Sequence, residues 1–127
     1  DVIKHKSILT SIVKNLKDYG IRTSIFIHPD LDMVKAVSEI HADRIELFTG
    51  IYADSPQTIQ SYIQCSQYAH EIGLGVNAGH DLDMNNLPLF VQNIPYLNEV
   101  SIGHGLISEA LFLGLEKTIN NYTKILA

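Results

Sequence analysis

The sequence has 127 residues, of which 46% are hydrophobic, which is enough for the core of one domain and no more. Its single Cys excludes an internal disulfide bond, and no apolar run reaches the ~18 residues that a membrane span requires. A formal net charge of −5 argues against broad binding to nucleic acid or to an anionic membrane, although a helix N-terminus still allows binding of a small phosphorylated ligand.

The first predicted element is an α-helix over residues 1–20, with Gly20 as its C-cap. Its apolar stripe consists of Ile8, Leu9, Ile12, Val13 and Leu16. Because this pattern is already under way at Asp1, we expect the sequence to begin inside a longer protein.

Four strand–helix units are predicted after this helix, with no linker between them. The strands are expected at 23–28, 44–49, 75–80 and 98–103, and the helices at 31–40, 56–70, 85–93 and 106–126. Ser55 is the expected N-cap of the second of these helices, and Pro56 its first residue. The alternation indicates an α/β fold with a parallel sheet. A (β/α)8 TIM barrel has eight strands, so four strands cannot close one and would leave two unpaired edge strands. We therefore expect this sequence to form half of a (β/α)8 TIM barrel.

The alternation of side chains along each strand predicts which residues share a face of the sheet. Glu46, His80 and His104 are assigned to one face, toward the barrel interior. The same face is expected to hold Ser24, Phe26, His28, Arg44, Phe48, Val76, Ala78, Val100 and Ile102. The opposite face is apolar enough to lie under the helices, with Ile25, Ile27, Ile45 and Leu47.

Two Gly-His pairs, Gly79-His80 and Gly103-His104, stand where an apolar strand ends and a helix is about to begin. The carboxyl ends of parallel strands are where catalytic side chains gather, and Glu46 lies near the end of another strand. Histidine suits proton transfer because its unperturbed pKa is about 6.5. A helix start flanked by glycines lets an anion approach the backbone closely. These residues therefore predict an acid/base site beside an anion site.

Each candidate also has a structural interpretation. His80 and His104 can be hydrogen-bonded structural histidines, and Glu46 can form a salt bridge to Arg44. A metal site would draw on His28, Glu46, His80 and His104, but these residues lack the local spacing of a metal motif. The remaining conspicuous residues are expected to be structural: a loop at Thr49-Gly50, solvated His5, His41 and His70, and a buried, non-nucleophilic Cys65.

Three runs of the sequence resemble the pyridoxine 5′-phosphate synthase family. They are IELFTGIYA at 45–53, VNAGHDL at 76–82 and SIGHGLISEAL at 101–111, and their spacing matches as well. The resemblance implies that residues 1–127 form the carboxyl-terminal half of a single TIM-barrel domain. It also implies a reaction, the condensation of 1-deoxy-D-xylulose 5-phosphate with 3-amino-2-oxopropyl phosphate to pyridoxine 5′-phosphate, inorganic phosphate and water.

The same resemblance implies roles for individual residues. His80 matches the general acid, and Glu46 matches a carboxylate that stabilises a transition state. Gly103 and His104 match positions that bind the amino-ketone phosphate. Asp81 stands at a substrate-binding position that is often Gly in the family, so we expect its backbone to contribute and its side chain to turn away. No role carries over to His28.

The resemblance further implies a cytoplasmic homo-oligomer, an octamer in the family, without cofactor or metal. Its partners would be small phosphorylated substrates and the amino-terminal half of the same barrel, and neither nucleic acid nor membrane. Two other functions stay open: a dimerising half-barrel that only holds phosphates, and another phosphate-binding barrel such as an aldolase or epimerase. Glu46 and His80 argue against the first, because holding phosphate needs neither. The second often needs a Schiff-base lysine, and no Lys occurs between Lys35 and Lys117.

Overall fold

A computed structural model describes residues 1–127 and places four parallel strands in one sheet, in chain order. The strands are β1 (Ser24–Ile27), β2 (Arg44–Phe48), β3 (Gly75–Gly79) and β4 (Leu97–Ser101). Each strand pairs in parallel with its sequence neighbour, so the predicted strand order is confirmed. β1 and β4 form the two edges of the sheet.

Helices precede the first strand, connect the strands and follow the last strand, as predicted. They are α1 (Lys6–Asp18), α2 (Leu31–Glu39), α3 (Gly50–Asp54), α4 (Ile59–Glu71), α5 (Leu87–Asn93), α6 (His104–Leu113) and α7 (Leu115–Leu126). None of them is long and apolar enough to cross a membrane. The C-cap of α1 is Tyr19, and Gly20 follows it with a φ of +71°, which lets the last carbonyls of the helix accept hydrogen bonds from Gly20 and Ile21.

Three helical features differ from the prediction. The loop predicted at Thr49-Gly50 is the start of α3, and Pro56 opens a short 3₁₀ turn before α4, with no capping bond from the Ser55 side chain. The predicted final helix is two helices, because Gly114 has a φ of +82° and interrupts it. The apolar residues on both sides of Gly114 kept the helical pattern continuous in the sequence and hid this break.

The core lies between the sheet and the helices. Ile45, Leu47, Val76 and Ala78 are fully buried beneath α2 and α4, and strand register pairs Ile45 with Val76 and Leu47 with Ala78. Residues paired in this way point to the same face of a parallel sheet. The assignment of Val76 and Ala78 to the barrel interior is therefore wrong.

The opposite face, called the inner face below, carries Glu46, Asn77, Glu99 and Ser101 on the last three strands, as the strand pairs show. Val100 pairs with Ala78 and also belongs to the helix side, contrary to prediction. Ile102 and His104 lie beyond the end of β4. The prediction for β3 assumed that side chains alternate between the two faces as far as His80. His80 follows β3 in a turn with a φ of +98°, and the alternation ends there.

Candidate active site

A cleft of about 540 Å³ opens at the carboxyl ends of β3 and β4. Its walls come from the two segments that follow these strands: His80, Asp81, Leu82, Ser101, Ile102, Gly103, His104 and Gly105. The two Gly-His pairs of the sequence thus meet in one place. This is the His80–His104 cleft.

Hydrogen bonds to the backbone carbonyls of Gly79, His80 and Asp81 hold the turn that carries His80. His80 and Asp81 have φ values of +98° and +55°, a conformation that side-chain-bearing residues rarely adopt. The hydroxyl of the buried Thr49 donates to the carbonyl of His80, and the side-chain amide of Asn86 donates to the carbonyl of Asp81 at 2.9 Å. The amide of Thr49 donates to the carbonyl of Gly79 at 2.9 Å. Thr49 therefore has a structural role, in agreement with the prediction.

The imidazole of His80 has two neighbours. Its ring centroid lies 4.8 Å from that of Phe48, in an edge-on contact, and its Nδ1 lies 2.8 Å from Oδ2 of Asp81. Because Phe48 is on the inner face, the turn brings His80 back to that face despite its position in the sequence. The Asp81 carboxylate thus lies beside the candidate acid; its predicted orientation away from a bound phosphate stays a prediction.

Glu46 lies on the inner face next to this cleft, half-buried and with no hydrogen bond or ion pair within the chain. Its Oε1 would be 2.6 Å from a β-carbon placed on Gly79, so the carboxylate occupies the space that this glycine leaves free. The predicted alternative, a salt bridge to Arg44, is wrong: Arg44 contacts Asn77 at 2.9 Å and Glu99 at 3.1 Å. Glu46 is a carboxylate without a structural partner.

The start of α6 forms the second wall of the cleft. Gly103 is its N-cap, no side chain caps the helix, and the first internal bond runs from the amide of Ile107 to the carbonyl of Gly103. The amides of His104, Gly105 and Leu106 have no acceptor within the chain. Such amides, with the positive end of the helix dipole, attract anions.

The two glycines around His104 have different roles. A β-carbon on Gly103 would meet nothing within 4 Å, so this position is open toward the cleft. A β-carbon on Gly105 would lie 2.8 Å from the carbonyl oxygen of Leu82 and 3.2 Å from Cβ of Asp83. Gly105 therefore permits close packing of α6 on the loop after β3. The sequence analysis had instead predicted that Gly105 gives an anion access to the backbone.

The structure adds residues that sequence reasoning missed. Phe48 packs edge-on against both His80 and His28, whose ring centroid is 5.2 Å away, so it is the side chain that relates His28 to the candidate site. Phe48 could have been identified from the sequence, because it lies two residues after Glu46 and therefore on the same face of β2, at the end of the strand. Glu109 accepts hydrogen bonds from the Tyr122 hydroxyl at 2.5 Å and from the Met84 amide at 3.2 Å, and thereby fastens the loop after β3 to α6 and α7.

Two groups outside the cleft show what burial does to reactivity. Burial raises the pKa of the Cys65 thiol to about 11, so it stays protonated near neutral pH, as expected of a structural cysteine. Burial also raises the pKa of Tyr122, and the Glu109 carboxylate adds to that rise.

His5, His41 and His70 are exposed, as predicted.

Comparison with known proteins supports the resemblance seen in the sequence. Residues 1–127 match the family described as "Pyridoxal phosphate biosynthesis protein PdxJ". The chain is 49% identical to a pyridoxine 5′-phosphate synthase of Christiangramia forsetii, over 99% of the chain and 55% of that relative. It is 48% identical to those of Porphyromonas gingivalis and Cytophaga hutchinsonii, over 100% and 98% of the chain and 56% and 54% of the relatives.

The chain spans about half the length of the curated relatives it matches. Four parallel strands that alternate with helices are half of the strands of a TIM barrel, so the predicted fold class is confirmed. On its sequence and its fold, the chain belongs to the PdxJ family of pyridoxal phosphate biosynthesis proteins.

Proposed function

We propose that this chain supplies the carboxyl-terminal half of the active site of a pyridoxine 5′-phosphate synthase. The reaction is the condensation of 1-deoxy-D-xylulose 5-phosphate with 3-amino-2-oxopropyl phosphate, which releases inorganic phosphate and water. The observation that carries the proposal is the meeting of a candidate proton donor, His80, and an uncapped helix start at Gly103 in one cleft.

His80 is the proposed general acid. The condensation requires imine formation, dehydration, elimination of phosphate and ring closure, and every one of these steps moves protons. An imidazole can donate and accept protons near neutral pH. Its Nε2 has no hydrogen-bond partner within the chain, which leaves that nitrogen available to a substrate.

Glu46 is the proposed electrostatic stabiliser. An unpartnered carboxylate on a half-buried strand costs folding free energy, and here no neighbouring cation offsets that cost. A positive charge that develops on the amino-ketone or on the imine would be stabilised by this carboxylate. This feature favours catalysis over a half-barrel that only holds phosphates.

The start of α6 is the proposed site of the amino-ketone phosphate. The free amides after Gly103 can donate to phosphate oxygens, and His104 adds a side-chain donor. Asp81 contributes through its backbone in the same cleft. No Lys or Arg occurs from residue 45 to residue 116, so the donors that this half of the barrel offers near the last strands are backbone amides and His104.

We further propose that the enzyme is a cytoplasmic homo-oligomer. The other half of the barrel is supplied from outside these 127 residues. The aldolase or epimerase alternative receives no support from the site. The cleft contains no lysine that could form a Schiff base.

The test uses the complete protein, in which this chain is joined to the first half of the barrel. His80→Asn should lower kcat by ~10²–10⁴-fold with a much smaller change in KM, because the variant keeps the shape of the site but loses the proton donor. His41→Asn is the matched control, since His41 is exposed and also has a positive φ, +61°. Normal turnover of the His80 variant would remove it from the mechanism.

The phosphate site has its own measurement. Gly103→Val places a side chain in open space beside the free amides, and the loss of one or two hydrogen bonds to phosphate should raise KM for 3-amino-2-oxopropyl phosphate by about 10–100-fold. A crystal structure with that substrate should show its phosphate within hydrogen-bonding distance of the amides at 104–106. Phosphate density elsewhere would contradict this placement.

A further inference from the structure

We propose that Asp81 is a positioning residue for His80: its carboxylate holds the proton on Nδ1 of the imidazole and thereby makes Nε2 the nitrogen that exchanges a proton with substrate. This inference rests on the proposed function and deepens it. The contact that carries it is the 2.8 Å distance between His80 Nδ1 and Asp81 Oδ2.

The backbone makes this contact possible. Side chains of adjacent residues in an extended strand point to opposite faces, so neighbours in β3 could not meet in this way. The positive φ values of His80 and Asp81 fold the chain back and bring the two side chains together. Both carbonyls of this turn accept hydrogen bonds, from Thr49 and from Asn86, which keeps the backbone in this conformation.

The imidazole is fixed by contacts of two different kinds. The edge-on ring of Phe48 restricts the tilt of the imidazole, and the Asp81 carboxylate selects its rotation and its tautomer. A neutral histidine carries one ring proton, and a carboxylate on Nδ1 favours that proton on Nδ1. Nε2 then has a lone pair in the neutral form and a proton to donate in the charged form.

The contact contributes to orientation more than to stability. The side chains of His80 and Asp81 are 54% and 56% exposed, and ion pairs exposed to this degree add little to the free energy of unfolding. Substitution of Asp81 should therefore change catalysis without unfolding the protein. A φ of +55° is also a conformation that Gly and Asn adopt more readily than most residues.

The experiment compares Asp81→Asn and Asp81→Gly in the complete protein, with the exposed Asp54→Asn as the charge-matched control. Both Asp81 variants should lower kcat by about 10-fold, the lower end of the range for carboxylates that orient metal-binding histidines, with KM nearly unchanged. Both should resist urea at least as well as the wild type. Asp54→Asn should match the wild type in all three respects.

The second readout does not need activity. In protein with ¹⁵N-labelled histidine, the neutral His80 ring should show a protonated Nδ1 in the wild type and a mixture of tautomers in both Asp81 variants. The inference is overturned if the variants keep the wild-type kcat and the wild-type tautomer, or if they change KM alone. If the tautomer responds but even the wild type forms no pyridoxine 5′-phosphate, the positioning by Asp81 holds and the proposed function fails.

Discussion

The backbones of Glu46 and Glu99 pair with the same residue of β3, Asn77, but their carboxylates reach opposite ends of the inner face and have different partners. At the amino end, Arg22 and Arg44 share the carboxylate of Glu99, with distances of 2.9 and 3.1 Å, and Asn77 donates to the same carboxylate at 3.1 Å. At the carboxyl end, the carboxylate of Glu46 has no hydrogen bond or ion pair within these 127 residues. Charges that neutralise each other serve the fold, whereas a charge held without a counter-charge is available for chemistry.

Glycine makes room for the charged side chain at both ends. A β-carbon on Gly75 would lie 2.8 Å from Cγ of Arg44, and a β-carbon on Gly79 would lie 2.6 Å from Oε1 of Glu46. Both glycines are on β3: Gly75 pairs with Arg44 itself, whereas Gly79 pairs with Phe48, two residues beyond Glu46. The difference between the ends thus comes from the partners that β4 offers and not from the local backbone.

The largest effect should come from removing the charge of Glu46. In the complete protein, Glu46→Gln should lower turnover by about 10²-fold, because the variant loses a charge that is placed for the transition state. The variant should be at least as stable as the wild type, because an unpartnered half-buried carboxylate costs folding free energy. Turnover assays and urea unfolding measure the two effects.

Glu99→Gln is the reciprocal variant at the other end. It leaves Arg22 and Arg44 without their counter-charge, and the exposure of Glu99, 45%, limits the expected loss of stability to about 1 kcal/mol. If Glu46→Gln destabilised the protein as much as Glu99→Gln does, the distinction between the two ends would be lost.

A methyl group at Gly79 should disturb the site through Glu46. Gly79→Ala places its β-carbon 2.6 Å from Glu46 Oε1 and 2.9 Å from Cβ of Ser101, so the carboxylate has to move. Overpacking of this kind costs about 1–2 kcal/mol, and turnover should fall with it. Urea unfolding of Gly103→Ala, whose β-carbon meets nothing within 4 Å, provides the control for stability. Equal stability of the two alanine variants would argue against the tight contact.

The smallest effect concerns acid stability at the amino end. Asp43 accepts hydrogen bonds from the amide and hydroxyl of Thr23 at 2.8 and 2.9 Å and pairs with Lys17 at 3.0 Å. The backbone hydrogen bond from Thr23 does most to hold the pKa of Asp43 below its ordinary value of 3.8, with smaller contributions from Lys17. A lowered pKa in the folded state stabilises the fold above that ordinary value, and this contribution disappears as pH falls through the folded-state value.

Asp43→Asn should therefore be less stable than the wild type at pH 7, and the gap should narrow as the pH falls toward 3. Urea unfolding at several pH values measures the gap. A gap that stays constant with pH would assign the stabilising effect of Asp43 to something other than its charge.

The parts of the fold that follow from local patterns could be predicted. Strand order followed from the alternation of elements, and the meeting of Gly79-His80 with Gly103-His104 followed from parallel strands that end at one edge. The inward residues of β3 and β4 could not be assigned, because His80 has a positive φ in a turn that is held by Thr49, 31 residues away in the sequence. The role of Glu99 was equally hidden, since Arg22 is 77 residues away from it.

The ion pair between Arg22 and Glu99 also bears on whether the sheet is flat or curved. Arg22 precedes β1 and Glu99 lies on β4, so the pair joins the two edge strands across the inner face. In a flat sheet these strands would be about 14 Å apart, with side chains that stand roughly perpendicular to the surface. The 2.9 Å contact across three strand spacings fits a sheet that curls around its inner face, as the wall of a barrel does.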